Sequence, residues 1–402
     1  MIKKLILFVS LFCSIQLSAQ EQTAFSNQDS LIIKCLNEIN PDSIKNSIQF
    51  LQDFGTRFML DTNHRTVALS LKQKFENMGY QNTVMDSFYV EVFTGTSYAY
   101  SGWQYNVIAT LQGSLYPDSV CICGAHYDSA CDSVVYGKKA PGADDNASGV
   151  AAALEIARIF KKMNYQPNLS IKFIAFGAEE LMGNSLSGSE YYATKADSLG
   201  EKIKFFINND MIAYEPSSTN WHADLYCFDS TFWMNNFAAE MCMQYTSITP
   251  NLINQVMPGD AYRFYQKGFQ SMHFFEDIFN PYYHTANDVV ANLNMDYCAE
   301  MTKLTMAMLM EGTKVQTGIN NDRETNNNII IYPNPSYDRL NIQFNKNENY
   351  KVQILNAKGE TIINSVLNSE ASEIDISNLN KGIYIISLFG NNSIYHKKFI
   401  KK

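Results

Sequence analysis

The sequence predicts an α/β unit, a mainly parallel mixed sheet sandwiched by helices, followed by a small all-β sandwich. Two observations carry that reading. From Ser119 to Phe176 the pattern runs strand, loop, helix, strand, and the strands are near-continuous apolar runs, as expected where a parallel sheet is covered on both faces. After about residue 316 the texture changes to a polar stretch and then to short segments that alternate apolar and polar residues. The 402 residues allow two or three folding units, and a hydrophobic fraction of 46% is enough for real cores.

Taken in order, residues 1–20 read as a secretory signal peptide. Lys3 and Lys4 precede an apolar run from Leu5 to Leu17, too short to span a bilayer comfortably, and a Ser-Ala-Gln end follows. Phe12 and Leu11 before Cys13 argue against a lipid anchor, and no later stretch is apolar and long enough for a transmembrane anchor. Residues 21–316 form the first folding unit. It opens with two amphipathic helices, Ile44 to Phe54 and Val67 to Met78, followed by strands at Val84 to Phe93, Tyr105 to Leu111 and Ser119 to Gly124. Asp145 or Asn146 can cap a helix whose apolar face runs through Val150, Leu154, Ala157 and Phe160. Leu169 to Phe176 and Lys204 to Ile207 are further strands, and a helix from Tyr297 to Thr313 closes the unit. The Ala/Gly-rich start of the helix after Asn146 reads as close helix-to-sheet packing, because its glycines match no phosphate-binding pattern.

Residues 317–328 are a polar linker with nothing to bury. Residues 329–402 hold seven short strand segments separated by turns such as Ala-Lys-Gly, which make the β-sandwich.

Charge and cysteines narrow the function classes. A net charge of −9 without an Arg/Lys stripe leaves no footprint for nucleic acid. Without Cys13 the cysteines are an odd set with no repeated pair spacing, which is not a disulfide scaffold; Cys121 and Cys123 alternate on a buried strand, and of the one or two bridges that export permits, Cys227–Cys242 is one candidate.

Chemistry concentrates in five segments: Gly-Ala-His126-Tyr-Asp128, Gly-Ala-Asp144-Asp145-Asn, Ala-Glu179-Glu180, Asn-Asp210-Met and Tyr283-His284-Thr. Three of them fall just past predicted strands, where open α/β sheets gather their ligands. Two imidazoles and several carboxylates are the donor set of a pair of zinc ions, with open positions left for water. Asp144 is expected to bridge two Zn2+ per chain, His126 and Asp210 to complete one shell, and Glu180 and His284 the other. Asp128 is placed to accept the free ring N–H of His126. Glu179, adjacent to a ligand without needing to be one, is the candidate base that takes a proton from water and passes it to a leaving amine. His64, His222, His273 and His396 have no such context and are read as structural.

These segments resemble the di-zinc exopeptidases typified by secreted bacterial leucyl aminopeptidases, a family that also contains glutamate carboxypeptidases and glutaminyl cyclases. The resemblance covers about residues 30–315 and fills every ligand position. It implies peptide substrates, a cis peptide between the paired Asp residues, and a contact of Tyr283 with the developing oxyanion. Gly259-Asp260-Ala261-Tyr262 departs from the usual pattern around Asp260, which implies a different substrate pocket; Asp145 and Asp260 are assigned to that pocket or to support of the ligands. Tyr332-Pro-Asn-Pro-Ser336, Ile374 to Leu379 and Gly382-Ile-Tyr384 resemble the C-terminal sorting domain of type IX secretion. That implies a secreted or cell-surface protein, exported through the periplasm by machinery recognising this tail. The favoured activity is aminopeptidase. The alternatives are a single-zinc glutaminyl cyclase, against which Tyr127 and Glu179-Glu180 argue, a carboxypeptidase, and a non-catalytic binding homologue, whose ligand positions would be substituted.

Overall fold

The computed structural model describes residues 30–94, 97–131, 139–181, 185–228, 232–314, 329–344, 350–356, 361–367, 373–389 and 394–402. The predicted leader and polar linker lie outside the described residues. The chain divides into two compact units, Met1–Val315 and Gln316–Lys402.

The first unit is built on eight strands: β1 (Val84–Thr94), β2 (Ser97–Leu111), β3 (Tyr116–His126), β4 (Leu169–Phe176), β5 (Lys202–Asn209), β6 (His222–Cys227), β7 (Thr249–Asn254) and β8 (Ser271–Glu276). They lie in the order β1-β2-β4-β3-β5-β8-β6-β7. β4, β3, β5 and β8 are parallel neighbours at the centre, with antiparallel joins on either side.

Helices cover both faces: α1 (Pro41–Gln52), α2 (His64–Asn77), α3 (Ala147–Lys162), α4 (Gly188–Ser198), α5 (Phe232–Tyr245), α6 (Asp260–Gln266) and α7 (Met295–Gly312). The two-residue period of each strand assigns its side chains to opposite cores. Cys121, Cys123, Ile171, Phe173, Phe205 and Ile207 pack with α1, α2, α3 and α7, whereas Ile122, Ile174, Phe176 and Phe206 pack with α4 and α6. Burial on both sides is why these strands read as unbroken apolar runs.

The helix start at Asn146 follows the predicted logic. The Asn146 side chain accepts the Gly149 amide at 3.0 Å. A Cβ on Gly149 would stand 2.1 Å from the Asn209 carbonyl, so the residue is glycine because α3 meets the end of β5 too closely for a side chain. The bridge considered between Cys227 and Cys242 is not made: both cysteines are buried outside any disulfide, and the Cys242 sulfur lies 3.4 Å from the Ile248 carbonyl.

In the second unit β9 (Ile329–Tyr332), β10 (Arg339–Phe344) and β13 (Glu373–Asp375) form one antiparallel sheet, ordered β13-β10-β9. The other sheet, β12-β11-β14-β15, contains β11 (Tyr350–Asn356), β12 (Thr361–Leu367), β14 (Gly382–Phe389) and β15 (Ile394–Lys401). Ile331, Leu340 and Ile342 of the first share one core with Val352, Ile354, Ile386, Leu388 and Phe399 of the second, the sandwich expected from the alternation. No helix among the described residues is long and apolar enough to cross a membrane.

Candidate metal centre

The carboxyl ends of the four central parallel strands carry the predicted residues. His126 is the last residue of β3, Glu179 and Glu180 follow β4, Asp210 follows β5, and His284 lies in the loop after β8. Ala178, Met211 and His284 are held at φ of 62°, 49° and 54°, a region that non-glycine residues enter at a cost of about 1–2 kcal/mol. Each of these residues is a candidate ligand or lies within two positions of one; Asn164 and Asn220 share the region elsewhere, but asparagine tolerates it, so the costly cases gather at the rim where the site forms.

The two imidazoles face one carboxylate. His126 Nε2 is 3.2 Å from Asp145 Oδ1, and His284 Nε2 is 3.2 Å from Asp145 Oδ2. On the outer sides, His126 Nε2 is 3.6 Å from Asp210 Oδ1 and His284 Nε2 is 2.8 Å from Glu180 Oε2. Asp144, expected between the histidines, faces elsewhere: its oxygens accept the Ala213 amide at 3.0 Å and the Asn280 side-chain amide at 2.8 Å, and it hydrogen-bonds with Glu276. Neighbouring side chains in the turn splay to opposite sides, which puts the straddling geometry one residue further on. The cis peptide likewise lies at Asp145–Asn146 and not between the paired Asp residues.

Asp128 also differs from the expected arrangement. Its oxygens accept the amides of Glu179 and Glu180 at 3.0 and 3.1 Å. His126 Nδ1 is 3.2 Å from the Asp128 carbonyl oxygen and 3.6 Å from its carboxylate, so the ring's nearer partner is the backbone. Both contacts orient the ring with Nε2 towards Asp145 and Asp210.

Buried acids dominate the electrostatics. Burial pushes Glu179 well above its usual range and Glu180 up to about 7, with the Asp145 charge adding to the latter. Burial likewise raises Asp260 to about 7 and Asp288 to about 8. Burial works against charge on both histidines, but Glu179, Asp128 and Asp145 hold His126 well above its ordinary value, and Asp145 and Glu180 lift His284 to about 10. Burial also opposes charge on Asp145, yet the two imidazoles hold it far below the carboxylate range. So many carboxylates in a low-dielectric pocket require positive charge.

The donor chemistry fits zinc. His126, Asp145 and Glu180 each offer an atom within 4.8 Å of the others, and the buried Glu180 Oε1 has no hydrogen-bond partner among the described residues. Nitrogen and carboxylate oxygen are the donors a catalytic zinc takes.

Tyr283 stacks on the His284 ring with centroids 3.8 Å apart, and burial with the neighbouring acids keeps its phenol protonated. Asp260 is fully buried at the start of α6, near enough to influence both His126 and Glu179. Sequence reasoning passed over Arg57, Glu276, Asn280 and Asp288. The spacing His284-x-x-x-Asp288 was a visible signal for the last; nothing local marked Arg57, which lies far from the ligands in sequence.

Comparison with known proteins places the chain among peptidases. The profile of Peptidase family M28 matches residues 106–309, and that of a secretion system C-terminal sorting domain matches residues 330–402. A probable leucine aminopeptidase of Arthroderma otae is 28% identical over 298 residues, 70% of this chain and 75% of the relative. A probable zinc metalloprotease of Pyricularia oryzae is 34% identical over 200 residues, 47% of this chain but only 39% of the relative. Among solved structures, the Legionella pneumophila LapA aminopeptidase superposes with a TM-score of 0.59 at 22% identity, covering 71% of this chain and 75% of that one. A leucine aminopeptidase precursor of Bacteroides thetaiotaomicron gives 0.55 at 19% identity, over 68% and 97%. At these identities the superpositions establish the fold.

Proposed function

This chain belongs to peptidase family M28, and from that premise we propose that it is an exported aminopeptidase working with two zinc ions that share Asp145. It is a zinc metallopeptidase of that family, and its sorting domain marks it for secretion or display at the cell surface. The observation that carries the two-metal reading is the position of Asp145, with one carboxylate oxygen 3.2 Å from each imidazole Nε2. His126 and Asp210 would hold one ion, His284 and Glu180 the other, and Asp145 both.

Bound zinc would supply Lewis acidity, lowering the pKa of a water towards about 7 and polarising the scissile carbonyl. The remaining work falls to the chain. Glu179 is held in place by the bond from its amide to Asp128, and its raised proton affinity suits a group that takes a proton and then passes it on. It receives the proton of the attacking water and delivers it to the leaving nitrogen. Tyr283, protonated and stacked on His284, would donate to the oxygen on which charge develops. Recognition of the tail by export machinery, and passage through the periplasm, complete the reading.

The test is metal content of the mature protein together with release of free amino acids from a peptide mixture, before and after chelation and zinc add-back. Two zincs with chelator-sensitive release from the amino end is the expected result. Release from the carboxyl end would make it a carboxypeptidase. One zinc with loss of ammonia from N-terminal glutamine would make it a cyclase, and absence of zinc would leave a binding role.

A further inference from the structure

The turn that carries Asp145 is held through its main chain by two buried side chains, those of Asp288 and Arg57. The amides of Ala143, Asp144 and Asp145 all donate to Asp288: the first to its carbonyl at 3.1 Å, the others to Oδ1 and Oδ2 at 2.9 and 3.1 Å. Two successive amides are thus held by one carboxylate and the amide before them by the same residue's carbonyl, so Asp288 anchors the turn through three main-chain bonds. On the other side of the turn, the guanidinium of Arg57 donates to the carbonyls of Pro141 and Gly142, the latter at 2.7 Å. Its Nε donates to the Tyr127 carbonyl at 2.7 Å and its remaining bond goes to Leu51. Arg57 is fully buried and Asp288 is 1% exposed, so neither group has solvent as an alternative partner.

We infer that Arg57 and Asp288 are positioning residues that set the place of the 141–145 turn, and with it the carboxylate of Asp145 between the two histidines. The inference rests on the reading of Asp145 as the shared zinc ligand. Arg57 joins the turn to Tyr127, the residue after His126, so one side chain spans the segments that carry two ligands. Asp288 lies four residues after His284, so the segment bearing a third ligand also holds the turn bearing Asp145. A carboxylate that serves two ions tolerates little displacement, because moving it towards one withdraws it from the other. Asp128 does the same for the Glu179-Glu180 segment, again with both oxygens on successive amides. The site thus uses two carboxylates to hold backbone.

Asp288→Asn keeps the shape and replaces one acceptor with a donor aimed at an amide. In the full mature chain, we expect zinc affinity, measured by competition with a chromophoric chelator, to fall at least about tenfold. kcat should fall by a similar factor, with KM little changed. Leu71→Ala, a core truncation on α2 away from the turn, is the comparison: it should lower the melting temperature and leave zinc affinity as in the wild type. Arg57→Lys keeps the charge but loses the fork, and it carries the same test if Asp288→Asn does not fold. The double variant should lose less than the sum of the singles, since both hold one turn. Wild-type zinc affinity and kcat in both single variants, or losses that only follow the folded fraction as in Leu71→Ala, would overturn the inference while leaving the two-zinc reading intact. A wild-type chain that takes up no zinc would overturn both.

Discussion

The two units of this chain bury different kinds of residue. The tail sandwich has a core of Ile, Leu, Val, Tyr and Phe from two antiparallel sheets. The larger unit buries Asp128, Asp144, Asp145, Asp210, Asp260, Glu276 and Asp288 at one rim of its sheet, together with Arg57 and His126. A buried charge is expensive unless it is paired or bound to metal, so the rim has to be justified by function, whereas the tail core is explained by burial alone. The comparison teaches where substitutions should be read as chemistry and where as stability.

The largest expected effect tests the rim directly. Glu179→Gln should retain zinc while kcat falls by about 10²–10⁴ or more, measured as metal content alongside peptide turnover; loss of zinc with activity would instead make Glu179 a ligand. Next, Asp145→Asn should cost more zinc and more activity than Asp144→Asn, since only Asp145 faces both imidazoles. Equal losses of zinc in the two variants would remove that distinction.

A smaller and graded effect concerns pH. The carboxylates hold His284 at about 10, above its ordinary 6.5, so without zinc the charged ring stabilises the fold fully below about 6.5, and that contribution is lost as pH rises through about 10. Zinc bound at His284, as proposed, would displace this proton. Its apparent affinity should therefore climb with pH up to about 10, with proton release measurable by calorimetry in buffers of different ionisation heat; a flat profile would contradict the raised proton affinity.

The smallest effects on turnover belong to the tail. Leu340→Ala should destabilise the sandwich by about 2–5 kcal/mol in denaturant unfolding and leave kcat unchanged. Deleting residues 329–402 should likewise leave turnover unchanged but hold the enzyme inside the cell. A fall in kcat on deletion would give the tail a catalytic role.

Much of the fold was legible because its strands are periodic and its caps chemical. Leu169–Phe176 was readable to the residue, and the seven tail strands appear where alternation placed them. The strands β6, β7 and β8, and the helices α4, α5 and α6, were not individually anticipated. β6 and β7 are short, and β8 is buried throughout, so their local patterns do not separate them from loop or helix.

The order and types of the candidate ligand residues were determined by sequence, because donor chemistry is a property of the side chain and strand ends can be read from apolar runs. Which of two adjacent aspartates faces the imidazoles was decided only by the tertiary structure. Asp144 and Asp145 are chemically identical, and they are told apart by contacts with Ala213, Asn280 and Glu276, distant in the chain. The same reason hides Arg57: its partners are backbone carbonyls, which every residue type carries and no sequence pattern marks.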